Sequence, residues 1–161
     1  MRKTLIVYYT LQGNARRVAS ALQNQTNGDL FEIELVKPYT LASSFVKGIL
    51  HTRRGFAPAL KNRAENLHEY ATIYIGAPVW AFTLTAPVLS FLNEHDLTGK
   101  TVIPFVTHDG NPGKYFEKFS KKCPTADITR KMEFVKPKKK SDDEIMAEVK
   151  KWLNAIETPN I

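Results

Sequence analysis

Three short stretches of this sequence carry residues able to hold a ligand. The first, Thr10-Leu11-Gln12-Gly13-Asn14-Ala15, lies between an apolar run, Leu5 to Tyr9, and a helical pattern. A strand, bend and helix in that order leave backbone N–H groups unpaired at the helix start, where the macrodipole also favours an anion. Gly13 can take backbone angles that other residues resist, and Thr10 adds a hydroxyl. A phosphate suits such a loop. A tight turn with no ligand is the alternative, since a short glycine-containing turn is weak evidence on its own. The second stretch is Pro78-Val79-Trp80-Ala81-Phe82-Thr83, whose aromatic groups are costly to expose unless something flat covers them. Here the alternative is that Trp80 and Phe82 cap the core. The third is Thr107-His108-Asp109-Gly110-Asn111-Pro112-Gly113, in which two glycines leave room at the backbone. His108 suits a hydrogen-bonding role as well as a chemical one. No catalytic residue is assigned.

These loops need strands and helices to bring them together. Leu5 to Tyr9 is apolar throughout, as a strand covered on both faces would be. The helix after it has Ala15, Val18, Ala19 and Leu22 on one face, with Arg16 and Arg17 off it. Phe31 to Leu35 alternates, as a half-buried strand near a sheet edge does. Pro38 to Leu60 reads as a helix around Phe45, Ile49 and Leu50 followed by a long connection, and Glu65 to Tyr70 as its end with one helical turn. Its Ser44-Phe45-Val46-Lys47 matches the Ser-x-x-Lys pattern of penicillin-recognising enzymes, but without companion motifs it reads as coincidence. Ala71 to Gly76 is the next buried strand, and Pro87 starts a helix carrying Val88, Phe91 and Leu92. Thr101 to Val106 is another apolar strand, in which Pro104 requires a bulge or a strand end. Tyr115, Phe116 and Phe119 give a helical face, and Asp127 to Val135 a last strand at the other edge. The final helix opens on a capping box, Ser141 with Glu144, and buries Ile145, Val149, Trp152 and Ile156. Strands alternating with helices predict an α/β fold: a doubly wound, five-stranded parallel sheet in the order 2-1-3-4-5, helices on both faces, in one domain over residues 1–161. The loops after strands one, three and four then share one rim.

Composition narrows the function classes. The length of 161 residues suits one core, and no run approaches a membrane-spanning helix, so membrane insertion is not expected. The chain runs directly into a strand, so no signal or transit peptide is expected. The single cysteine, Cys123, excludes an internal disulfide and fits a cytoplasmic location; beside Lys121 and Lys122 it is read as structural. No metal site is expected from four scattered histidines. The net charge of +7 includes a basic run at Lys136, Lys138, Lys139 and Lys140. It carries no interleaved aromatics, so nucleic-acid binding is not expected and the run reads as solvated surface.

The first loop resembles the flavodoxin phosphate loop, Ser/Thr-x-Thr-Gly-Asn-Thr, through Thr10, Gly13 and Asn14; Gln12 and Ala15 replace two hydroxyl residues, for which Arg16 or Arg17 is a candidate substitute. Gly76 to Thr83 followed by Ala86-Pro87 is similar to the second flavin loop of bacterial and archaeal flavodoxin-like proteins, and Gly99-Lys100-Thr101 through Gly110 to Lys114 to the third. The resemblance covers nearly the whole chain. It implies that residues 10–15 hold the phosphate of flavin mononucleotide (FMN), that 78–83 meet the isoalloxazine and ribityl chain with Trp80 stacking, and that 107–113 line the polar edge of the ring. Phe82 stands where relatives usually have glycine.

The resemblance therefore implies an FMN-dependent electron carrier or small flavin oxidoreductase. The basic surface predicts acidic redox partner proteins, and a second reduction potential less negative than in acidic relatives. One alternative is a reductase that binds NAD(P)H transiently and reduces a quinone or flavin; no dinucleotide fingerprint supports a separate site. Another is a degenerate flavodoxin-like module that binds without redox chemistry.

Overall fold

The first strand, β1 (Lys3–Tyr8), lies between two others and is buried from Leu5 to Tyr8, which explains its apolar run. A computed structural model describes residues 3–128 and 130–157. Around β1 are β2 (Asp29–Glu32), β3 (Tyr70–Pro78), β4 (Thr101–His108) and β5 (Met132–Val135), all parallel, in the order β2-β1-β3-β4-β5. The side chains of β1 alternate between two cores. Leu5, Val7 and Tyr9 join one with α4 (Ala86–Glu94) and α5 (Tyr115–Lys122). Ile6 and Tyr8 join the other with α1 (Asn14–Thr26) and α6 (Asp142–Glu157). The remaining helices, α2 (Leu41–Ser43) and α3 (Ile49–Arg54), flank a π-helical turn at Ser44–Gly48.

The expected doubly wound sheet is present, with β2 and β5 at its edges. Several details differ from the sequence reading. Pairing of β2 begins at Asp29 and stops at Glu32, although Ile33 and Leu35 are buried as the alternation implies. Beyond Glu32 the chain turns to Leu60, and the Asn62 side chain donates to the Glu32 carbonyl and accepts from the Glu34 N–H. Alternation records burial; beyond Glu32 the Asn62 amide and backbone bonds to the 59–61 segment, Val36 N–H to Ala59 and Lys61 N–H to Glu34, take the place of the ladder. Pro104 needs neither a bulge nor a strand end: it pairs in register with Ile75 in mid-strand. The Val102 N–H faces the β5 side, where it donates to Asp127. Two residues on, the missing N–H of Pro104 faces the same side, before pairing with β5 begins at Phe105. Among the described residues, no ladder bond is lost there.

Of the expected last strand, only Met132–Val135 and a bridge from Asp127 to Thr101 pair; Thr129 lies outside the described residues. The capping box of α6 forms as read, with Ser141 N–H donating to Glu144 and Glu144 N–H to Ser141 Oγ. Ile145 and Val149 are buried and Trp152 is half-buried, while the side chain of Ile156 lies outside the described residues. The single helical turn before β3 is Leu67–Glu69. The Ser44 hydroxyl donates to the Leu41 carbonyl within its own helical segment.

Cys123 is buried, and burial pushes its thiol up to about 11. Lys121 and Lys122 project into solvent and do not reverse this. At pH 8 the native thiol is therefore expected to resist iodoacetamide and to react once the protein is unfolded in urea. Equal labelling rates in both states, read by mass spectrometry, would contradict the structural role.

Candidate cofactor site

At the carboxyl ends of β1, β3 and β4 the three loops meet around one crevice. Its inner part, about 300 Å³, is lined by Leu11, Gln12 and Asn14 of the first loop, Pro78 to Ala81 of the second, and Thr107, His108 and Asp109 of the third. An adjoining part of about 420 Å³ adds Phe82, Gly110 and Asn111. Together they fall in the size range of small-molecule sites. Five of the expected residues are placed differently from these. The side chains of Ala15 and Thr83 are buried, Thr10 borders a neighbouring cleft with Tyr9 and Tyr39, and Gly13 and Gly113 shape the loops through their backbone.

In the first loop, the Gly13 N–H donates to Thr10 Oγ1 at 2.9 Å, and Gly13 takes a left-handed conformation with φ of 90°. No side chain caps α1, and no acidic residue lies in its first turn. The N–H groups of Asn14, Ala15 and Arg16 therefore remain as donors, since the first intrahelical bond runs from the Arg17 N–H to the Gly13 carbonyl. The Ala15 methyl is buried in the core, so this position contributes backbone alone. Neither arginine replaces the missing hydroxyls: Arg16 pairs with Glu32 at 2.7 Å and Arg17 with Asp142 at 2.6 Å. These donors fit an anion at the crevice end.

The second loop holds Trp80 against Tyr9 and Tyr39, with ring centroids at 5.6 and 5.4 Å and near-perpendicular planes. Gly48 packs so close that an added Cβ would lie 3.0 Å from the indole. Trp80 thus joins the core at its base while lining the crevice. Thr85 donates to the Pro78 carbonyl and fixes the loop's exit. Between them the chain reverses in a tight turn, Thr83 N–H to Trp80 carbonyl at 3.1 Å. Ala81 and Phe82 both have positive φ, 49° and 57°, the type I′ geometry usually filled by Asn and Gly. The Phe82 ring is 64% exposed, so it does not cap the core. The Thr83 hydroxyl is buried with no protein partner.

A bulky side chain at positive φ costs about 1–2 kcal/mol, partly offset when glycine replaces it by about 0.5–1 kcal/mol of unfolded-chain entropy. Phe82→Gly is therefore expected to stabilise the protein by about 0.5 kcal/mol in urea denaturation. A clear loss of stability would mean that the exposed ring makes a contact stronger than this strain.

The third loop is ordered from inside. His108 is buried, and its Nδ1 accepts from the Gly110 N–H at 3.1 Å. The neutral ring then carries its proton on Nε2, which faces Glu133 at 3.4 Å. Asn111 Oδ1 accepts from the Gly113 N–H at 2.7 Å. Gly113, with φ of 57°, sits directly against Phe82: an added Cβ would lie 2.2 Å from the Phe82 carbonyl oxygen. The Lys114 N–H donates to that same oxygen at 2.8 Å, so the second and third loops are locked together.

Leu41, Ser44, Phe45 and Ile49 also line the crevice, as do Pro137 and Lys138. Sequence reading placed neither group there. The i, i+4 spacing of Phe45 and Ile49 gave a helical face without saying what it faces, and nothing local marks Lys138.

A family model described as Flavodoxin matches residues 3–156. No curated protein matches the chain. Among solved structures, a proposed flavoprotein from Bacteroides eggerthii is 26% identical, with 98% of this chain and 99% of that chain covered and a TM-score of 0.78. A second, from Bacteroides uniformis, is 26% identical over 92% and 97% of the two chains, with a TM-score of 0.74. A flavoprotein from Lactobacillus acidophilus, solved in complex with FMN, shares the fold at 23% identity and a TM-score of 0.74, covering 95% of this chain and 99% of that one. With three loops converging on a crevice at the strands' carboxyl ends, and a family match over nearly its whole length, the chain belongs to the flavodoxin family.

Proposed function

We propose that this member of the flavodoxin family binds FMN in the three-loop crevice and carries electrons between partner proteins. The observation that carries this reading is the convergence of an uncapped helix start, an aromatic loop and a polar loop on one continuous crevice. FMN, when bound, supplies the electron chemistry. The protein's part is to bind and orient it. The backbone donors at the start of α1 and the Asn14 side chain receive the phosphate; Trp80 and its neighbours cover a flat ring and keep water from it; Asp109, Gly110 and Asn111 face its polar edge. His108 sets the shape of that edge through its bond to Gly110. An oxidoreductase role in the cytoplasm fits the single buried thiol, and no described helix is long and apolar enough to cross a membrane. The net charge of +7 favours acidic partners, so that association should weaken as salt rises.

Titrating the purified apoprotein with FMN tests the reading. Saturable quenching of flavin fluorescence at one FMN per chain is expected, reduced by Trp80→Ala. An absence of quenching by the unaltered protein would refute it.

A further inference from the structure

We propose that Lys138 is the cation that binds the phosphate of FMN and that Arg17 is the positioning residue that holds it there. This rests on the FMN reading above. The first loop has Gln12 and Ala15 in place of hydroxyl donors, and the nearest arginines are engaged with Glu32 and Asp142. Lys138 lines the same crevice as Gln12 and Asn14, and neither Lys136 nor Lys139 does.

The segment that carries Lys138 is fixed from several directions. It is a 3₁₀ turn, Pro137–Lys139, entered through Lys136 in a left-handed conformation with φ of 50°. The Lys136 N–H donates to the His108 carbonyl at 2.7 Å, tying the turn to the end of β4. Arg17 clamps its other side: Nη1 donates to the Pro137 carbonyl at 3.0 Å, Nη2 to the Lys140 carbonyl at 2.6 Å, and Nε to Asp142 at 2.6 Å. Lys140 is neutralised by Glu148. Among the described residues, Lys138 forms no ion pair with a carboxylate. Arg17 lies in the first turn of α1, so the helix that offers backbone donors also anchors the turn that carries Lys138 to the same crevice. The hydroxyl donors that the loop lacks are thus replaced by a cation that tertiary structure brings to the crevice.

The test compares FMN with riboflavin, which lacks the phosphate. Lys138→Gln is expected to weaken FMN binding about tenfold, as loss of a charge-assisted contact does, and to leave riboflavin binding unchanged. It should also flatten the salt dependence of FMN affinity. Lys139→Gln, one residue away, should change neither. Arg17→Gln should lower the preference for FMN over riboflavin when Lys138 is present and have little further effect in Lys138→Gln. Equal loss for both flavins, no loss for either, or the same loss from Lys139→Gln overturns the proposal while leaving FMN binding intact. If the unaltered protein binds no FMN, the proposal falls together with the reading beneath it.

Discussion

Replacing Gly76 with alanine is expected to destabilise the protein by about 3 kcal/mol, the upper part of the range for overpacking a core. Gly76 lies in β3 opposite Phe105 of β4, and the phenyl ring lies across it. A Cβ there would come within 2.0, 2.1 and 2.3 Å of three ring atoms. Phe105 is fully buried against the face that carries α1 and α6, so the ring has nowhere to withdraw. Either β3 and β4 separate or the helix layer lifts. The strain falls two residues before the second loop, so it should also loosen the crevice. Urea denaturation measures the loss, and a second substitution tests its cause. In Phe105→Leu, where the facing side chain is smaller, Gly76→Ala should cost at least about 1 kcal/mol less, because contacting residues are not additive. Equal costs in the two backgrounds would show that the ring is not the obstacle.

The largest effect on the site itself is expected from Gly113→Ala. The new Cβ would lie 2.2 Å from the Phe82 carbonyl oxygen and 2.5 Å from the Phe82 Cβ. The residue would also keep a φ of 57°, which costs alanine about 1 kcal/mol. Backbone cannot yield as the end of a side chain can, so the third loop must move off the second and release the Lys114 to Phe82 bond. FMN affinity should fall by at least about tenfold, or roughly 1.4 kcal/mol. Because these loops would hold the ring and not the phosphate, riboflavin affinity should fall by a similar factor, which is the opposite of the pattern expected for Lys138. Titration of both flavins distinguishes them. Unchanged affinity for both would mean that the loops need no fixed spacing.

Much of this architecture was legible in the chain itself. The unbroken apolar runs of β1, β3 and β4 and the alternation at Phe31 to Leu35 follow from which faces are covered, and coverage separates central strands from edges. The three loops could be named because strand ends and helix starts bound them. The same local rules misread Pro104. Whether a missing N–H matters depends on where the neighbouring strand begins, and the chain before Met132 carries no sign of that.

The sequence by itself determined the strand and helix order, the layered sheet and the residues that reach its carboxyl rim, because periodicity and turn chemistry act over a few residues. Only the tertiary structure decided which polar groups remain available at that rim. Arg17 meets Asp142 across 125 positions of chain and Gly113 meets Phe82 through backbone atoms, contacts that leave no periodic trace. Those long-range contacts occupy both arginines beside the first loop, bring Lys138 to the crevice, and set the spacing between the loops that enclose it.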